Sequence, residues 1–111
     1  MAIKSPDKIP VGPELDVLTA QKVFGWKHIH KHNGALVGKK QDKAWHWRSA
    51  KVPHYSTDPV NAYAIDERMK QLGRSVRYVK ELSKITTANK TPSEWASPDQ
   101  RCRAAIKAME R

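Results

Sequence analysis

Apolar residues recur along this chain at spacings that change from one segment to the next, and each spacing predicts an element. Ala62, Ile65, Met69 and Leu72 are separated by three, four and three residues, with Asp66, Glu67, Lys70 and Gln71 elsewhere, so the four apolar side chains share one helix face. Asp58 and Pro59 supply a capping acceptor and a first-turn proline at the start of this helix, and Gly73 supplies a left-handed stop. Cys102, Ala105, Ile106 and Met109 form a second stripe. It is opened by Ser97-Pro98-Asp99-Gln100, which reads as a capping box with proline in the first turn. A further helix is expected over about 14–24, with Pro13 at its first position, Glu14 and Asp16 near its positive end, and Gly25 as its stop. There Leu15, Leu18 and Val23 lie nearly opposite Val17, Ala20 and Phe24, the pattern of a helix wedged between two neighbours.

Strand-like alternation appears in three places. Trp45, His46 and Trp47 predict a strand at about 44–48, and a second is expected at 26–30, with Gly34, Gly38 and Lys39-Lys40 reading as a loop between them. From Ser75 to Leu82, the residues Val76, Tyr78, Lys80 and Leu82 alternate with Arg77, Val79 and Glu81, which predicts a half-buried strand, and 86–96 is polar and loop-like. Residues 1–12 carry Pro6, Pro10 and Gly12 with no apolar periodicity and read as a flexible arm. The expectation is an α+β fold with three helices and a small sheet. It is a single domain over 13–111 with a basic insertion at about 27–51.

Composition sharpens this picture. With 111 residues there is room for one domain, and 21 basic against 11 acidic side chains give a formal charge of +10. Leu, Ile, Val and Phe are sparse, so four Trp and three Tyr must supply much of the buried area. No run of roughly 18 apolar residues exists to span a membrane, and Met1 to Gly12 is too polar for a signal peptide, which makes a soluble, intracellular chain the expectation. Cys102 is the only cysteine, so no internal disulfide can form and stability must come from packing.

Three pieces of the chain stand together in order and spacing: Glu14-Leu15-Asp16 through Lys22-Val23-Phe24-Gly25-Trp26, then Pro53-His54-Tyr55-Ser56-Thr57-Asp58, then Cys102-Arg103-Ala104-Ala105-Ile106. Together they resemble the phage ABA sandwich domain, a family of small bacteriophage and prophage proteins, whose fold is a small α-β-α sandwich of helices around a sheet. The resemblance implies an α-β-α layered fold, a phage or prophage origin and a place in the cytoplasm of the bacterial host. It implies no catalytic residue. The chain departs from the pattern in its long basic segment from 27 to 51 and in Arg101 before Cys102.

Candidate chemistry is limited. His28, His30 and His32 lie two apart, so an extended strand would project all three rings from one face, a spacing compatible with zinc, copper or nickel. Lys27 and Lys31 beside them repel a divalent ion, and a solvated basic strand is the favoured account. His54, Ser56 and Asp58 invite a Ser-His-Asp reading, but neighbours in one extended stretch point in alternating directions and Asp58 is explained as a helix cap. Cys102 sits on an apolar stripe, where a thiol behaves as a small hydrophobe. Neither a glycine-rich phosphate loop nor an EF-hand pattern is present, and no cofactor is expected.

The electrostatic signal is stronger. Between Trp26 and Lys51 seven basic side chains face one acid, Asp42. Lys39, Lys40, Lys43, His46, Arg48 and Lys51, interleaved with Trp45 and Trp47, pair phosphate-neutralising charge with flat rings on which bases could stack. Placed on one strand face, Trp45 and Trp47 are read first as core, leaving His46 and Arg48 on the open face. The expected function is that of a non-enzymatic phage or prophage accessory protein that binds an anionic partner, either nucleic acid or an acidic host protein. The alternative is a counter-defence scavenger of small anionic nucleotide signals. A flat basic face favours nucleic acid, whereas a closed pocket lined by Arg and Tyr favours the scavenger.

Overall fold

The computed structural model describes residues 8–42, 44–88, 90 and 96–110. In chain order the elements are α1 (Pro13–Lys22), β1 (Lys27–His32), β2 (Ala35–Gln41), β3 (Trp47–Lys51), α2 (Pro59–Gln71), α3 (Ser75–Ala88) and α4 (Pro98–Met109). The class is α+β, as expected, with four helices among the described residues rather than three. None of them is long and apolar enough to cross a membrane.

Cys102, Ala104, Ala105, Ile106 and Ala108 of α4 are all buried, because α1, α2 and α3 each pack against this helix. The expected capping box is formed. The Ser97 amide donates to Gln100 Oε1 at 2.8 Å, and Ser97 Oγ accepts from the Gln100 amide. Ala62, Ile65 and Met69 of α2 are buried as their spacing requires, and Asp58 Oδ1 accepts from the Val60 amide at 2.9 Å.

The predicted strand at 75–82 is the first half of α3. Tyr78, Leu82 and Thr86 are buried and Ile85 is half-buried, a spacing of four, seven and eight from Tyr78 that marks one face of a helix. The two valines that completed the alternation, Val76 and Val79, face solvent. Gly73, at φ +70, turns the chain between the helices. Its amide donates to Lys70 O and the Arg74 amide to Met69 O, so α2 ends in a Schellman motif and α3 starts at once.

Two polar clusters tie the helices to the rest of the chain. Asp16, buried on α1, accepts from the Ser56 amide and from Ser56 Oγ, both at 2.7 Å, while Ser56 Oγ accepts from the Gly12 amide at 3.0 Å. Asp66 joins three helices: Tyr78 Oη donates to Oδ1 at 2.5 Å and Arg101 Nη1 to Oδ2 at 2.7 Å. The arm expected over 1–12 is anchored from residue 9, because Ile9 is buried and its carbonyl accepts from Arg103 Nη1 at 2.8 Å. Residues 1–7 lie outside the described residues.

The buried titratable groups set a pH limit on the fold. Burial, reinforced by the bond to Asp66, raises the Tyr78 hydroxyl well above its ordinary value near 10.0. Burial also pushes the Cys102 thiol from 9.0 up to about 12, despite an opposing hydrogen bond with Thr19. Both groups hold their protons more tightly when folded than when unfolded. Their contribution is therefore complete below pH 9 and is lost as pH rises from there through the folded values. The denaturant midpoint should fall steadily from about pH 9 upward, and Cys102→Ala should flatten the first part of that fall; a midpoint independent of pH up to about 11 would contradict the burial of both groups.

Candidate nucleic-acid interface

The three strands form an antiparallel meander in the order β1-β2-β3. Asn33 and Gly34, at φ 53 and 81, close the first hairpin as a two-residue turn in which both central residues are left-handed. This makes 35–41 a strand where a loop was expected. Register assigns the faces. Lys27 pairs with Lys39 and Lys39 with Ser49, His30 with Val37 and Val37 with Lys51, and Gln41 with Trp47, so these side chains share the face turned to solvent. Leu36, Gly38 and Ala50 are on the opposite face, toward the core.

The candidate cations are therefore divided. Lys39 and Lys51 are on the open face together with Lys27, which the basic-aromatic pattern around Trp45 and Trp47 does not reach. Lys40 and Arg48 pair across the other face, and Lys40 Nζ lies 5.9 Å from the centre of the Trp26 ring. His46 is in the β2–β3 turn, exposed, and Lys43 lies outside the described residues. Trp45 and Trp47 are not core: they are 77% and 43% exposed. Strand alternation begins only at Trp47, and the turn before it throws Trp45 outward. Lys27 Nζ lies 5.2 Å from the centre of the Trp47 ring, and these two side chains with His28 and Lys39 line an open hollow of about 370 Å³.

His28, His30 and His32 do not form one row. One extra residue in β1 between Lys27 and His30 makes a bulge, with His28 at φ 56, so Lys27 rather than His28 takes the alternating position shared by His30 and His32. His30 Nδ1 lies 2.9 Å from His28 O, and no group of three metal-ligating side chains occurs among the described residues.

Asp42 organises the β2–β3 turn. Its Oδ1 accepts from the Ala44 and His46 amides at 2.8 and 3.0 Å, and its Oδ2 accepts from Arg48 Nε at 2.5 Å. The bond from Arg48, then the amide of His46, lowers the Asp42 pKa below its ordinary value. Gln41 Nε2 donates to Trp45 O at 3.1 Å, and the Trp45 amide to Asp42 O at 3.0 Å, which fixes Trp45 in the left-handed region at φ 66.

Two other places invite chemistry. Ser56 Oγ bonds directly to Asp16, while His54 Nδ1 lies 3.7 Å from the other Asp16 oxygen; the imidazole does not stand between hydroxyl and carboxylate, as a nucleophilic triad requires. Between the sheet and α2 an open cleft of about 430 Å³ is lined by Phe24, Trp26, Lys40, Tyr55, Glu67 and Arg68. Its aromatic walls pack on one another, Phe24 and Tyr55 stacking at 4.7 Å, and Arg68 Nε donates to Val23 O. No family model matches the chain, and neither a curated protein nor a solved structure does.

The open face depends on Gly38, which lets β1 and Trp26 close on the sheet from the core side. A Cβ there would stand 2.7 Å from Ile29 Cγ1 and 3.2 Å from both the Lys27 carbonyl oxygen and Trp26 Cε3. Gly38→Ala should cost roughly 1–3 kcal/mol in equilibrium unfolding, and a loss under about 0.5 kcal/mol would mean that Trp26 does not pack there.

Proposed function

We propose that this chain is a binding protein rather than an enzyme, and that the open face of its sheet takes nucleic acid. One observation carries the reading. Lys27 and Lys39 stand directly opposite each other, Lys51 shares their face, and no strand residue on that face is acidic. Facing like charges lowers the stability of the free chain, and a row of phosphates turns that repulsion into attraction while releasing counterions. The comparable pair on the other face, Lys40 and Arg48, has Asp42 to offset it. Exposed indoles beside the lysines add surface on which bases can stack. A phage or prophage setting in the host cytoplasm belongs to the same proposal and rests on the three resembling pieces.

The small-anion alternative draws its support from the cleft that holds Arg68 and Tyr55. That cleft is open, and Glu67 lines it beside Arg68, so the open basic face of the sheet supports the nucleic-acid reading better.

Replacing Lys27, Lys39 and Lys51 together by Ala should weaken binding to random single- and double-stranded oligonucleotides alike. It should also flatten the log–log salt dependence by roughly 0.7–0.9 for each phosphate no longer neutralised, while thermal stability stays the same or rises. Titration at two salt concentrations measures both. No binding at low salt removes the proposal; an acidic host protein that binds this face without competition from oligonucleotides replaces it.

A further inference from the structure

Trp45 is the most exposed aromatic ring among the described residues, and its display is built rather than incidental. A bulky side chain in the left-handed region is an outlier that persists only where its surroundings over-determine it. Here the Asp42 carboxylate holds the amides on both sides of Trp45, Gln41 holds its carbonyl, and Arg48 holds Asp42. All of this order leaves the indole 77% exposed, so the fold gains little burial from it. The turn follows directly from Gln41, which is on the open face one alternation beyond Lys39, about 7 Å along the strand. The Trp47 ring on that face already carries the Lys27 ammonium. The ring left free for a ligand is that of Trp45.

We infer that the ligand is a single strand, with an unpaired base stacked on Trp45 while its phosphates lie along Lys39, Lys27 and Lys51. The inference rests on the nucleic-acid reading above and narrows it. A duplex offers phosphates at higher density but keeps its bases stacked on one another, and an acidic protein lacks the regular alternation of phosphate and base that a lysine row beside an indole matches. Base stacking on an exposed indole beside a cationic track is the arrangement that favours single strands irrespective of sequence.

Three probes separate charge from stacking: a single-stranded oligonucleotide, its duplex, and an abasic oligomer of equal length, each at low salt. The expected order has the single strand bound tightest, with the duplex and the abasic oligomer both weaker. Trp45→Ala should weaken single-strand binding about 5- to 100-fold, leave the other two probes unchanged, and leave the salt slope intact; Trp45→Phe should recover most of the loss. Trp45→Gly guards against a folding artefact, because glycine accepts φ 66 freely, so its melting temperature should stay level or rise while single-strand binding falls. Equal binding of the single strand by Trp45→Ala and by the unaltered chain overturns the stacking inference and leaves the lysine face standing. So does equal binding of the three probes. Failure of all three probes to bind overturns both.

Discussion

α4 is enclosed by α1, α2 and α3, and short side chains on a helix shared among three neighbours let those neighbours approach closely. Ala104, Ala105 and Ala108 are such side chains, with Cys102 and Ile106 filling the space that remains. The rest of the helical arrangement follows from how close these alanines let the axes come. α1 presents Leu15 and Ala20, α2 presents Ile65 and Met69, and α3 presents Tyr78 and Leu82 to the common core, although the chain is poor in aliphatic residues. The polar groups that this closeness buries are satisfied across it. Asp66 takes Tyr78 and Arg101, Arg74 caps the Ala108 carbonyl at 3.0 Å, and no buried side-chain nitrogen or oxygen among the described residues lacks a partner.

This arrangement divides the basic residues by type. Arg68, Arg74, Arg101 and Arg103 are half-buried and occupied, three of them with backbone carbonyls of distant segments and Arg101 with Asp66 and the Tyr63 ring. A planar guanidinium with a fixed fork suits such fixed acceptors. On the open sheet face the cations are lysines on flexible stems, and no strand residue beside them is acidic. The formal charge of +10 is therefore not spread evenly in its consequences: much of the arginine charge is committed to holding elements together, and the lysine charge of the sheet faces outward.

α2 is legible in the sequence because cap, stripe and stop agree between Asp58 and Gly73, and α4 because its stripe follows directly on a capping box. α3 reads as a strand because eight residues of alternation look complete, while the helical spacing emerges only when Ile85 and Thr86 are included. The first hairpin leaves a readable mark in Asn33-Gly34, which a neighbouring glycine and lysines obscure. The site is legible only in kind. Lysines and tryptophans between 26 and 51 announce a charged aromatic surface, but which of them share a face depends on a one-residue bulge at His28 and Ile29 that no local pattern specifies. Trp45 and Trp47 read as core because burial is the default for large apolar rings. Trp45 is exposed by the Asp42 turn and Trp47 by its register opposite Gln41 on the open face, and neither arrangement is written in the local alternation.

The placement of α4 also determines when the molecule can become compact as it is synthesised. The meander pairs neighbours in sequence, and each of its hairpins can close as soon as its own residues are available. The helical core cannot, because α1 must wait for a partner that follows about 80 residues later. Until α4 emerges, the apolar faces of α1, α2 and α3 have no common surface to close on. The nascent chain would thus carry an ordered basic sheet beside three unsettled helices, and protection by a chaperone or by the ribosome surface would matter most during that interval.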